Sequence, residues 1–397
     1  MRALFRGLPE EIKLIKPFVK LYELELMDTE PIDHAESQCY AASHEAAHVL
    51  INKYSNISSI STTALDPHEF FQKLIAELAV GYDKQLTKFA SSMPATFPYT
   101  LLAPNLVELD LRFWASLDII FPTISPRSLR KISIALDKHP FSWDMFHVGN
   151  VSEAIVFDNL VDLSISGMAR DLDDGNAVIA HGLDLVFPKL ERLSLSNISI
   201  TRKDAQAMMA HGLRRLRCKG SIITASQLCK HPLGNLDNLY LSWVEEPYPE
   251  EADDFILLAN EIFNKTEGIG HVQLEIRYAN FAGSMDGVDW PYLTHLSLSF
   301  TMPFKALFDI LPNVPNLVQL DMIIGSYDEH VLDETTELLI NIKKHYSTPS
   351  SSKIKTLRLA DERAVSRQES FFQPQFRKAL ENLKWYWPQL KDIVTLG

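Results

Sequence analysis

The chain has 397 residues, more than one compact core usually holds, and 46% of them are hydrophobic, which excludes a disordered chain. A net charge of −13 argues against general affinity for nucleic acid or anionic membranes. Cys39, Cys218 and Cys229 are few, odd in number and without C-x-x-C spacing, which fits a reducing compartment.

In chain order, MRALFRGLPEEIKLIKPF has no apolar core of signal-peptide length, so a cytoplasmic or nuclear location is expected. No long uncharged apolar window follows, so no membrane span is expected. Residues 1–20 read as an N-terminal cap. KLYELEL then introduces a phrase that recurs along the chain: Leu21, Leu24 and Leu26 are spaced apolar, two variable, apolar, one variable, apolar. Its second and third apolar positions lie two apart and face one side of a short strand. The first turns into the same core from the approach to the strand.

ESQCYAASHEAAHVLINKYSNISSIST reads as a helix followed by a strand, with Ala42, Ala46, Val49 and Leu50 on the helix's apolar face and Tyr54 near its end. Inside it, His44, Glu45 and His48 spell H-E-x-x-H. On a helix the two imidazoles share one face, ready for zinc, and the glutamate can activate a metal-bound water. The longer zinc-peptidase pattern is absent, because Ile51 and Tyr54 stand where glycine and histidine belong. A glutamate ligand would have to come from further on, such as Glu69 or Glu77. A structural helix without metal is the expectation, and a zinc-dependent hydrolase on His44, Glu45 and His48 is the alternative.

Weaker copies of the phrase follow in NISSIST (Ile57, Ile60) and QLTKFAS (Leu86, Phe89), on either side of a helix predicted over DPHEFFQKLIAEL with Phe70, Leu74 and Leu78 on one face. The clear copies are NLVELDL, SLRKISI, NLVDLSI, KLERLSL, NLDNLYL, YLTHLSL, NLVQLDM and KIKTLRL, with GLRRLRC, IGHVQL and a frayed QLKDIVTL beside them. Leu106 to Leu129 and Leu190 to Leu213 each span 23 residues, and Ile269 to Leu293 spans 24. One such strand cannot bury its apolar side alone, whereas stacked copies build a parallel sheet with a continuous core. Longer intervals leave room for helices over TRKDAQAMMAHG, EEADDFILLANEIF, DETTELLINIKKHY and the stretch after Pro374. Trp385, Tyr386 and Trp387 are expected to close the last repeat.

DLDDGN from Asp171 and VEEPYPEEADD from residue 244 read as solvated acidic loops, and YSTPSSSK from Tyr346 as a flexible one. No phosphate-cradling or nucleophile-elbow motif occurs, so no cofactor is expected.

The copies resemble the irregular leucine-rich repeats of fungal-type F-box proteins, over about Leu21 to Leu396, although the Asn or Cys that usually follows is mostly missing and Asn197 is an isolated match. GLPEEIKLIKPFV resembles the start of an F-box, but KLYELEL follows so soon that a complete one has no room. The resemblance implies an α/β solenoid with a curved parallel sheet, irregular repeats over 21–365 and a capping helix with a last strand over 366–397. It also implies substrate recognition beside a ubiquitin-ligase adaptor.

The residues flanking the middle apolar position should point out of the core. Arg192, Arg215, Arg217 and Lys219 then form a basic patch near Tyr240 and Trp243. Bidentate arginines suit carboxylate or phosphate, so the expected partner is another protein, acidic or phosphorylated where it touches.

Overall fold

The computed structural model describes residues 2–5, 23–28, 36–64, most of 74–93, 104–113, 127–136, 154–167, most of 185–209, most of 212–243, 252–276, 287–299, 307–308, 311–324, 329–361 and 374–396. The chain divides into two units, Met1–Leu213 and Arg214–Gly397.

The first unit carries a parallel sheet in chain order: β1 (Arg2–Phe5), β2 (Glu23–Asp28), β3 (Ser59–Ala64), β4 (Lys88–Met93), β5 (Glu108–Phe113), β6 (Lys131–Leu136), β8 (Asp162–Gly167) and β10 (Arg192–Ser196). The short β7 (Ile155–Val156) and β9 (Leu185–Val186) pair with each other instead. Strand β1 falls in the stretch read as a cap and pairs in parallel with β2. In the second unit β11 (Arg215–Gly220), β12 (Asn238–Trp243), β13 (His271–Ile276), β14 (His295–Ser299), β15 (Gln319–Ile324), β16 (Thr356–Asp361) and β17 (Asp392–Leu396) likewise follow one another in parallel. Parallel neighbours in chain order, joined by helices and turns, are consistent with a solenoid-like α/β fold.

Register aligns the repeated phrase into ladders. Leu24, Ile60, Phe89, Leu109, Ile132, Leu163 and Leu193 are successive partners, all buried. In the second unit Leu274, Leu296, Leu320 and Leu357 form such a row. The weak copies have a physical explanation. Thr62 and Ser91 occupy the third apolar position of their phrases, are buried, and satisfy each other through a 3.0 Å hydrogen bond from Thr62 Oγ1 to Ser91 Oγ. One alignment shifts. The phrase spacing matches Val272 and Leu274 to Leu296 and Leu298, but the hydrogen-bonded register sets Leu274 and Ile276 there. A shift of two keeps every side chain on its own face, so the apolar pattern alone leaves it undetermined.

A further buried column lies three residues before the first leucine: Phe157, Phe187, Leu233, Trp290, Val314 and Trp387. Each begins a tight turn into its strand, with Leu293 N donating to Trp290 O at 3.2 Å and Leu390 N to Trp387 O at 2.9 Å. Pro188, Pro291, Pro315 and Pro388 stand second in these turns, where a fixed φ favours the bend.

The residue just before the first leucine stitches consecutive copies. Asn105, Asn159 and Asn316 donate through Nδ2 to the carbonyls of Lys84, Arg127 and Pro291, at 2.7, 2.8 and 2.6 Å. Where lysine stands there, Lys189 and Lys353 donate to the Oδ1 of Asn159 and Asn316, at 2.8 and 2.6 Å. Asn316→Ala should therefore cost about 1–3 kcal/mol, because it loses both the bond to Pro291 O and the acceptor for Lys353, whereas Gln389→Ala in the corresponding exposed position should be neutral. Urea midpoints of the two variants check this.

The predicted helices appear with adjusted ends. The first, α1, spans Glu36–Lys53 and buries Ala46, Ala47, Leu50 and, just after it, Tyr54; Val49 is half-buried. Leu74 and Leu78 are helical and buried, whereas Phe70 lies outside the described residues. Next come α2 (Arg202–Met208), α3 (Ile222–Cys229) and α4 (Ala252–Phe263). The helix expected from Asp333 begins earlier, as α5 (Glu329–Ile340), and breaks before α6 (Ile342–His345). Near the end come α7 (Pro374–Leu380) and α8 (Leu383–Tyr386). Trp387 and Tyr386 are buried against Phe308, while Trp385 is half-buried under Lys343. The described residues include no helix long and apolar enough to cross a membrane.

Candidate functional site

Strand alternation sorts the candidates. Along β11 Arg215 and Arg217 are exposed and Lys219 half-exposed, while Leu216 and Cys218 between them are buried. Register places Asn238, Tyr240 and Ser242 of β12 opposite the three cations. The Arg217 guanidinium lies 4.7 Å from the centroid of the Tyr240 ring, and the Tyr240 hydroxyl donates to Glu275 Oε2 on β13. Burial, then the Glu275 bond, raises the Tyr240 pKa, so the phenol stays protonated and holds its ring under the arginine.

Two of the expected patch residues stand differently. Arg192 belongs to the first unit and is held by Asp162, its register partner, at 3.2 Å, so its charge is already met there. Trp243 pairs with Gly220, on the alternation of Leu239 and Leu241 rather than that of Tyr240. Its side chain lies outside the described residues. Outward-facing does not always mean exposed either: Ser242 and Glu275 are buried.

Beside this row the rings of His271 and His295 meet at a tilt of 44°, with centroids 4.0 Å apart. Thr294 Oγ1 donates to Val272 O and lies 2.9 Å from both Val272 N and His295 Nδ1. Its single proton is used on the carbonyl, so it accepts from Nδ1–H, and His295 carries its proton there. Burial, then His271, then Arg358 lowers the His295 pKa to about 4. The folded pKa lies below the unfolded value of 6.5, so the unfolded chain binds the extra proton between the two. Stability present above pH 6.5 is lost as pH falls toward 4. His295→Gln should flatten that part of the profile relative to the wild type, as read by thermal unfolding across the window.

The H-E-x-x-H residues are all exposed on α1. The His44 and His48 rings meet edge to face at 5.4 Å, and His48 Nδ1 lies 3.0 Å from Asn52 Nδ2. Glu77, from the following helical stretch, approaches His44 Nδ1 to 3.4 Å. Among the described residues, however, no group of three His, Cys, Asp or Glu could hold a metal ion. Glu69, the LPEEI stretch, DLDDGN and residues 244–251 of the acidic loop lie outside the described residues. YSTPSSSK is tied down at Ser350, whose N donates to Tyr386 O at 2.8 Å. Cys218 and Cys229 are buried free thiols; burial pushes both pKa values up, Cys229 to about 12, so they stay protonated and unreactive.

Fold and site together define an α/β protein built on parallel strands in which accessible polar residues alternate with buried apolar ones. No protein-family model matches the chain, and no curated protein matches it.

Proposed function

We propose that this chain is a non-catalytic recognition scaffold, a leucine-rich-repeat solenoid that binds another protein on the polar face of its sheet. One observation carries the reading. Parallel sheets are ordinarily covered on both faces, because crossovers place helices on each side. Here the alternate residues of β8, β10, β11 and the start of β13 are half-buried or exposed and polar, while their neighbours are buried. In each unit such a row of accessible polar side chains, with many small contacts in register, suits an extended partner rather than a small molecule in a pocket.

The resemblance to F-box proteins favours a substrate receptor acting with a ubiquitin-ligase adaptor in the cytoplasm or nucleus. The test is affinity capture with the purified chain. Gln319→Arg and Arg358→Glu on the sheet face should lose the captured protein. Leu257→Glu and Ile340→Lys, exposed helix positions, should retain it. Capture indifferent to the face variants discards the scaffold. Co-purification of a ligase adaptor separates a receptor from a scaffold without that link.

A further inference from the structure

On two outward rows of the first unit a cation meets an acid across the strands: Lys88 and Glu108 at 3.8 Å, Arg192 and Asp162 at 3.2 Å. Strand β11 differs from those rows. Its outward cations Arg215, Arg217 and Lys219 face Asn238, Tyr240 and Ser242, all uncharged, and among the described residues none of the three has an ion-pair partner. Arg217 is also pre-positioned. Tyr240, held by Glu275, lies beneath it, with the guanidinium carbon 4.7 Å from the ring centroid.

The cations run along one strand rather than across several. Alternate residues of a strand are about 6.6 Å apart, the spacing of same-face side chains in any extended chain. Neighbouring strands are about 4.8 Å apart, which an extended chain crossing them would not match.

We infer that the outward row of β11, Arg215, Arg217 and Lys219, is a docking track for an acidic segment of the partner protein. The segment lies extended along the strand and presents carboxylates at every second residue. The inference rests on the scaffold reading and adds the chemistry and direction of the segment. Since the whole chain carries −13, the attraction is local, confined to about one Debye length of 8–10 Å, and steeply weakened by salt.

The test is fluorescence anisotropy of labelled peptides on the full chain, with three probes: one with Asp-Ala-Asp-Ala-Asp at its centre, one with the same residues arranged as contiguous aspartates, and one with a single phosphoserine. The alternating peptide should bind about tenfold tighter than the contiguous one, equivalent to one well-made charge-assisted contact. Arg217→Gln should remove that advantage. Tyr240→Phe, which retains the stack, should keep more of it than Tyr240→Leu. Near-identical circular dichroism of the variants establishes that they fold.

Equal affinity for the two aspartate peptides, tighter binding of the phosphoserine peptide, or indifference to Arg217→Gln would overturn the track. If capture still depends on Gln319 and Arg358, such a result removes only this inference. Capture indifferent to the whole face removes the scaffold and the track together.

Discussion

Replacing Trp290 by alanine is expected to destabilise the second unit by about 3–5 kcal/mol, the range for deleting a large aromatic from a packed core. Trp290 is wholly buried, with its ring centroid 5.3 Å from that of Phe263 on α4. The same residue anchors the chain where it enters β14: its N donates to Asn313 O at 3.1 Å and its carbonyl accepts from Leu293 N. From α4, Asn260 holds the preceding turn, donating to Gly287 O at 2.7 Å and accepting from Asp289 N at 3.0 Å. Alanine would keep these backbone bonds and empty the space between helix and strand. Phenylalanine should cost far less, because the indole Nε1 has no hydrogen-bond partner among the described residues and its loss removes a buried unsatisfied donor. Urea unfolding of the three proteins gives the comparison. An alanine variant as stable as the phenylalanine one would mean that the ring is not packed as described.

Gly167→Ala should destabilise the first unit by about 1–3 kcal/mol, for a different reason. A Cβ at Gly167 would sit 2.7 Å from the backbone oxygen of Asn197, which cannot rotate away. Asn197 is itself fixed, at a φ of 52° and with its Nδ2 donating to Gly167 O at 3.1 Å. Relief would have to come from moving β8 or the turn after β10. Gly81→Ala provides the contrast, since its Cβ would meet only side-chain atoms of Ile51, Cδ1 and, at 2.8 Å, Cγ1, which a change of rotamer moves aside. Hydrogen exchange should show faster opening of β8 and β10 amides in Gly167→Ala and little change there in Gly81→Ala. Equal protection in the two variants would remove the argument.

Much of the fold is legible in the apolar spacing. A phrase of the form L-x-x-L-x-L requires a strand with one dry side, and neither Leu109 nor Leu193 stays dry without a neighbouring copy. Two further regularities are present in the chain itself. Three copies of the phrase begin with an asparagine, Asn105, Asn159 and Asn316, and the prolines at 188, 291, 315 and 388 stand two residues before a leucine. Their meaning depends on the carbonyl each side chain or turn reaches, which lies in the preceding copy or across the bend.

The site was less accessible for the same reason. Sequence alone determined which residues of β11 point outward, because a period of two settles facing. Only the tertiary structure decided which charges are already met. Arg192 and Arg217 look alike in the chain, yet register sets Asp162 beside the first and Tyr240 beside the second. Register between strands tens of residues apart is a long-range property, set by core packing and the turns between copies. A shift of two, as between β13 and β14, leaves the apolar pattern unchanged while giving every outward side chain a new neighbour.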